Sequence, residues 1–390
     1  MERVNKAKDV IYFVILLGVV SLFSDITYEA ARSIIGPYLS ILGASALVVG
    51  FAAGLGEFLG YGLRLLSGFL VDKSKRYWEF IFLGYSINLF AVPMLGLVNQ
   101  WEFAVLLLLL ERTGKALRTP PRDTLFSFAT VKMGRGLGFG IHEAMDQIGA
   151  VTGPLLVALI LYYRDSYKEA FLVLLIPALL ALLSLILAKR VYPINVSLTK
   201  EPLSLETKGF SPAFWWYILA MSLIGVGFVN YALISYHLSK NPFLAKEYIP
   251  LLYALAMGVD AIAALILGIL YDKQGMKAVP FSILISLASV PLIFLSGLSG
   301  IIVGIILWGI GMGAQESVLR AIVAQLVPKE KRASGYGVFH SLFGLASFGG
   351  SFLLGLLYDY SLIAMLSFSV IAQTLSLPII VKVIRDSQKV

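Results

Sequence analysis

The sequence predicts an all-α membrane protein in which twelve transmembrane helices form two pseudo-symmetric six-helix bundles. Three observations predict it. First, 58% of the 390 residues are hydrophobic and only 14% are charged, with a mean hydropathy of +0.86, so polar surface is too scarce to cover a water-soluble globule. Second, apolar runs of roughly 20 residues or more, the length that crosses a hydrocarbon core about 30 Å thick, recur along the whole chain and leave no room for a sizeable soluble domain. Third, the two halves repeat one order of parts. Glu111 to Pro154 carries a glycine-rich apolar run, arginines, a basic turn and then Arg135-x-x-Gly138-Phe139-Gly140; Gly309 to Gly350 repeats it with Arg332-x-x-Gly335-Tyr336-Gly337. A step of thirteen leads from Gly140 to Gly153 and again from Gly337 to Gly350, as expected of two copies of one ancestor.

The apolar runs, here called spans 1 to 12, cover roughly residues 10–39, 46–71, 78–98, 102–127, 136–162, 169–190, 212–238, 249–271, 276–296, 300–326, 335–358 and 362–383. Residues 1–190 form the expected first bundle, 191–211 an exposed cytoplasmic linker rich in Pro, Lys, Glu, Ser and Thr, and 212–390 the second bundle. The basic start continues into span 1 without a small-residue cleavage pattern, so it reads as retained. Cysteine is absent, which excludes disulfides and thiol chemistry. Of the 31 Lys and Arg, four lie in loops after odd-numbered spans (Arg164, Lys168, Lys240, Lys246) and four deep inside spans (Arg32, Arg64, Arg112, Arg320). The rest lie at the termini, in the even-numbered loops or at the inner end of span 4. Both termini are therefore expected in the cytoplasm and the chain in the cell membrane. The net charge of +8 follows from this asymmetry; its partner is the bilayer, and nucleic acid is not expected.

Span 1 places Asp25, Glu29 and Arg32 at i, i+4 and i+7, on one face at membrane depth. A charge there costs at least about 2.5 to 3.5 kcal/mol, so the face must meet a cavity or a partner. Arg32 with Glu29 reads as an ion pair, Asp25 as the spare acid. Span 2 repeats the device with Glu57, Tyr61 and Arg64; Glu57 either pairs with Arg64 or faces the cavity.

Span 2 ends in Gly68-Phe-Leu-Val-Asp72-Lys73-Ser-Lys-Arg76, and span 8 in Gly268-Ile-Leu-Tyr-Asp272-Lys273, the same spacing 200 positions later. This pair resembles the loop signature G-x-L-A-D-[RK]-x-G-[RK] of the major facilitator superfamily, which has it after helices 2 and 8. Val71, Tyr271 and Lys75 depart from it. The resemblance covers the whole chain and implies the two-bundle transporter fold. An aspartate at each turn can dock on the positive N-terminal end of span 11 or span 5, near Arg332 or Arg135, as an inner latch; the alternative is a local turn cap.

Span 3 carries Asn88 and Pro93 and is expected to be peripheral. In span 4, Glu111, Lys115, Arg118 and Arg122 step by four, three and four and share one stripe descending toward the cytoplasm, with Arg112 beside it. Pro120 and Pro121 should kink or interrupt the helix. Helices 1, 4, 7 and 10 of the superfamily line its central pathway, which the resemblance carries over to this stripe. In span 5, His142, Asp146, Gly149 and Gly153 form one stripe, with Glu143 to the side. The spacing Gly140, Gly149, Gly153, Pro154 resembles the helix 5 motif of the proton-coupled drug antiporters, G-x8-G-x3-G-P-x2-G-G, although Val157 and Ala158 replace the last glycines. A plain packing face explains the same spacing.

The second half is poorer in charge: Asn230, Tyr231 and His237 in span 7, Asp260 in span 8, Gln315, Glu316 and Arg320 in span 10, His340 in span 11. His237 and His340 read as structural or interfacial. With three histidines and no cysteine, neither a metal site nor a cofactor is expected. The whole reads as a monomeric secondary transporter of a small molecule, working by alternating access with protons as coupling ion. Asp25, Glu57, Glu111, Asp146 and Asp260 are the candidate proton carriers, Asp25 and Asp146 foremost, and Arg32, Arg112 and Arg320 would hold carboxylates or an anionic substrate. Export of amphipathic organic compounds leads. Transport of an organic anion, divalent metal export and a non-transporting receptor stand behind it; no paired nucleophile and base, and no phosphate loop, points to an enzyme.

Overall fold

In the computed structural model, residues 8–130, 135–193, 210–242, 244–328 and 331–387 are described, and among them all regular structure is helical. The helices are α1 (Lys8–Ile41), α2 (Ala46–Ser74), α3 (Tyr77–Met94), α4 (Trp101–Ala129), α5 (Arg135–Arg164), α6 (Tyr167–Val173), α7 (Leu175–Val191), α8 (Pro212–Gly227), α9 (Tyr231–Ser239), α10 (Tyr248–Gln274), α11 (Val279–Leu295), α12 (Leu298–Leu326), α13 (Arg332–Tyr360) and α14 (Leu362–Ser387). Spans 6 and 7 each consist of two helices, α6 with α7 and α8 with α9, so the described helices account for all twelve expected spans. Ten are long and apolar enough to cross a membrane by themselves. The other two have visible reasons: α4 carries too many charges, and α11, at 17 residues, is short.

Span 7 breaks between Gly227 and Tyr231, where the carbonyls freed by the break find side-chain donors. The Gly227 carbonyl accepts from Ser369 Oγ at 2.6 Å and Gln373 Nε2 at 3.1 Å, and the Val229 carbonyl from Trp308 Nε1 at 2.8 Å. Asn230, expected on the pathway, caps α9 by accepting from the Leu233 amide at 3.1 Å and donates to Ser351 at 3.1 Å.

The expected interruption at Pro120 and Pro121 does not occur; α4 is continuous through both. A proline leaves the carbonyl four residues earlier without its helical donor. For Pro120 that carbonyl belongs to Ala116, and it accepts instead from Ser67 Oγ of α2 at 2.8 Å. Gly68, next in α2, faces Pro120.

Two compact units emerge, and neither follows a sequence half: Met1–Ile34, Leu59–Lys200 and Lys246–Ala254 form one, Ile35–Phe58, Glu201–Ala245 and Leu255–Val390 the other. The core of the first joins Phe13 and Leu17 of α1 to Trp78, Tyr85 and Leu89 of α3, Leu125 of α4 and Leu185 of α7. The core of the second joins Phe214 and Met221 of α8 to Ile283 of α11, Val318 and Ile322 of α12 and Phe339 of α13. Inside the second unit the beginning of α2 packs on α13, with Asp359 accepting from the Ala46 and Leu47 amides at 3.1 and 2.8 Å. Tyr236 of α9 donates to the Ala44 carbonyl at 3.2 Å. Inside the first unit Lys246 forms an ion pair with Asp165. Within the second unit the loop after span 1 thus lies beside the end of α9, and within the first unit the loops after spans 5 and 7 meet.

The repeated turns agree in backbone as well as in sequence. Both helices run one residue past the Asp-Lys pair, to Ser74 and Gln274, and the next residue takes a left-handed conformation, Lys75 at φ 58° and Gly275 at φ 63°. Lys75, a departure from the family signature, therefore occupies a position that suits glycine. Gly275→Ala should lower stability by about 1–2 kcal/mol, and Lys75→Gly should raise it by about 0.5–1 kcal/mol, the relief being offset in part by glycine's greater freedom in the unfolded chain. Thermal unfolding of the purified protein in detergent measures both, and shifts of the same sign would refute the account.

Candidate functional site

Asp25 and Asp146 come together in the first unit because α5 lies close to α1. A Cβ built on Gly149 would lie 2.8 Å from the Asp25 Cβ, and one on Gly153 would lie 3.0 Å from the Ile26 Cα. No side chain separates the two backbones there, which is the packing function of small residues in membrane helices. Asp146, one turn before Gly149, is thereby brought to Asp25. His142 Nε2 lies 3.9 Å from Asp146 Oδ2 and 3.4 Å from Ser21 Oγ of α1, and its ring packs on Phe126, with centroids 5.1 Å apart. The stripe expected on span 5 thus faces α1. Gly140 lies outside this contact and is exposed; Pro154 sits within an unbroken α5.

On α1 the two acids differ as the spacing predicts. Arg32 Nη1 donates to Glu29 Oε1 at 2.8 Å, and the other oxygen of Glu29 accepts from the Tyr253 hydroxyl of α10 at 2.5 Å. Asp25 is 6% exposed and has no cation within ion-pair distance among the described residues; the groups acting on it are Asp146, Lys115, Glu29 and the hydroxyl of Tyr28. Lys115 of α4 places its ammonium 3.9 Å from the centre of the Tyr28 ring.

The rest of the α4 stripe finds its contacts elsewhere, although Arg118 and Arg122 both still act on Asp146, and one expectation is corrected. Glu111 and Arg118 pack into α3, and α3 is central to the first unit, not peripheral. Asn88, fully buried, donates through Nδ2 to both the carbonyl and Oε1 of Glu111, at 3.1 and 2.8 Å. Arg112 Nε holds the other Glu111 oxygen at 3.1 Å. Arg118, 1% exposed, lies 4.2 Å from the centre of the Tyr85 ring, and neither its Nε nor its Nη1 has a hydrogen-bond partner among the described residues. Gly84 and Gly114 permit the close approach; a Cβ on Gly84 would meet the Arg118 amide at 2.6 Å. Arg122 pairs with its neighbour Asp123 at 2.8 Å.

The remaining predicted residues disperse. Arg64 lies over the Tyr61 ring at 5.2 Å, Glu57 and Gln315 are half-buried, and Glu143 and Glu316 are exposed. Asp260 is buried in the second unit. His237 meets the Tyr358 hydroxyl at 2.9 Å, and His340 stacks on Tyr336. At the expected latch, Asp72 accepts from the Tyr77 hydroxyl at 3.3 Å, while Lys73, Arg76, Asp272 and Lys273 are exposed and Gly268 is half-buried. The side chains of Arg135, Arg320 and Arg332 lie outside the described residues. Sequence reasoning missed Tyr28, Tyr85 and Tyr253, because tyrosines in an apolar run carry no periodic signal of their own. Asn88 was visible, as the lone amide of its span, but nothing in span 3 connects it to Glu111.

The family model described as Major Facilitator Superfamily matches residues 17–351. An uncharacterized protein of Mycobacterium tuberculosis (strain ATCC 25618 / H37Rv) is 41% identical over 357 residues, 90% of this chain and 87% of that one. An uncharacterized MFS-type transporter of Methanocaldococcus jannaschii is 29% identical, covering 89% of each chain. The multidrug resistance protein MdtH of Photorhabdus laumondii is 29% identical over 151 residues, 37% of each chain. Among solved structures, the nucleoside transporter NupG superposes with a TM-score of 0.75 over 96% of this chain and 98% of its own, at 15% identity. That is a likeness of fold.

Asn88→Leu should cost about 1–3 kcal/mol, because it leaves the buried Glu111 carboxylate without its amide donor. Gly153→Val should prevent α5 from seating on α1 and abolish folded protein. Thermal unfolding and size-exclusion profiles of the two variants measure this, and a native profile with unchanged Tm in either would refute the packing described.

Proposed function

The chain belongs to the Major Facilitator Superfamily, and from that premise we propose that it exports small amphipathic organic compounds in exchange for protons, by alternating access. The observation that carries the coupling is the position of Asp25: a carboxylate buried within span 1, beside the second carboxylate of Asp146 and without a cation at ion-pair distance among the described residues. Burial disfavours the charged form of such a group, so a carboxylate buried in one conformation and hydrated in another takes up and releases a proton as the transporter cycles. Glu29 is engaged by Arg32 and Tyr253, and Glu111 by Asn88 and Arg112; these acids serve the architecture. The partial resemblance to a multidrug resistance protein supports the substrate class, as does the helix 5 glycine spacing. On this reading the protein works as a monomer in the cell membrane with both termini in the cytoplasm.

A second reading, transport of an organic anion, is favoured by one observation. Arg118 is buried with two donor nitrogens unpartnered among the described residues, and an anionic group would satisfy them.

In proteoliposomes with an imposed pH gradient, the protein should drive uphill movement of an amphipathic fluorescent compound. Asp25→Asn and Asp146→Asn should each reduce that gradient-driven flux by at least tenfold, with binding of the compound still measurable in Asp146→Asn. Undiminished gradient-driven flux in both variants would overturn the coupling assignment. Gradient-driven flux of organic carboxylates that Arg118→Gln abolishes would favour the second reading.

A further inference from the structure

The pairing of Lys115, half-buried on α4, is unusual for a cation inside a helical bundle. Its ammonium sits 3.9 Å from the centre of the Tyr28 ring, and among the described residues it makes no ion pair with a carboxylate. Asp25 and Glu29 both act on it from α1, together with the cations Arg32 and Arg112. Beyond these, the cluster facing it holds the second acid Asp146 on α5 and the phenol of Tyr253 on α10. Glu29 is already engaged by Arg32 and Tyr253. Asp25 is three residues before Tyr28, on the same face of α1, and has no cation of its own. An aromatic face and a carboxylate without a cation at ion-pair distance, side by side, are the two elements that recognise an organic cation, the ring through its quadrupole and the acid through its charge. Here the ring is occupied by the chain's own ammonium, and Tyr28 is only 5% exposed.

We propose that Tyr28 and Asp25 form a binding site for a lipophilic cation and that Lys115 is its tethered competitor, a built-in cation that the substrate must displace from the ring. This rests on the export reading above and narrows its substrate to compounds carrying a positive charge next to apolar surface. Displacement turns the Lys115 ammonium from the ring toward Glu29, the other carboxylate that acts on it. One cation thus replaces another over Tyr28, and the competitor limits how tightly any cation is held. It also excludes neutral compounds, which gain nothing from the ring's negative face that would offset moving the ammonium.

The test uses the full-length protein in detergent and tetraphenylphosphonium as the probe, with binding followed by isothermal titration calorimetry. Lys115→Met, and independently Lys115→Gln, should tighten binding about tenfold, equivalent to about 1.4 kcal/mol. Adding Tyr28→Leu to either variant should remove the gain. Tightening that survives Tyr28→Leu would mean that Lys115 acts only through its charge, which overturns the inference and leaves the export reading standing. Unchanged or weaker binding in both Lys115 variants overturns it as well. Absence of probe binding in the wild type and every variant overturns the inference and the cationic form of the export reading together. Thermal unfolding of each variant confirms that it is folded before it is titrated.

Discussion

A hydrocarbon interior offers no water to an unpaired polar group, and nearly every feature of the first unit follows from how that constraint is met. The charged groups inside the unit find several kinds of partner. Glu29 has a guanidinium and a phenol, Glu111 an amide and a guanidinium, Arg122 the carboxylate next to it, Arg118 and Lys115 the faces of tyrosine rings. The Ala116 carbonyl, deprived of its helical donor by Pro120, has a serine hydroxyl from α2. Against this background Asp25 stands out, because the groups around it supply no opposing charge at ion-pair distance. A charge held by packing belongs to the scaffold; one that is not is available to a proton or a ligand.

The fold was legible in the sequence because its signals are collective. Twelve apolar runs, a repeat at a separation of 200 residues and the distribution of basic residues do not depend on any single contact. Within the site, the residues that interact along one helix were also legible: Glu29 with Arg32, and His142 with Asp146, are read off helical spacing. Contacts between helices were not. The stripe on span 4 was expected to face one way, but a stripe defined by steps of three and four spans enough arc for Glu111 and Arg118 to meet α3 while Lys115 meets α1. Spacing fixes which residues share a side of a helix; it does not say which neighbour each one touches.

The two prolines of span 4 and the lysine of the first repeated turn show the same limit at the level of the backbone. Pro120 and Pro121 predict a kink or an interruption because local rules count only donors within the helix, whereas the donor that Pro120 removes is replaced by Ser67. Lys75 was recognisable as the residue standing where the second copy has Gly275. That the backbone keeps the left-handed conformation in both copies means that the turn is set by the helices on either side, and the residue conforms to it.

The division into compact units has a consequence for how the protein is made. The end of α1 lies against α9, with Gly36 facing Ala232 and Tyr236, and the beginning of α2 is capped by Asp359. The ribosome delivers α1 and α2 well before α9 and α13, so the end of α1 and the beginning of α2 must wait for these neighbours to be made. Until then the amides of Ala46 and Leu47 and the bare backbone at Gly36 face lipid, headgroup or insertion machinery. One stretch of chain, from the end of α1 to the start of α2, is therefore made long before it can find its place.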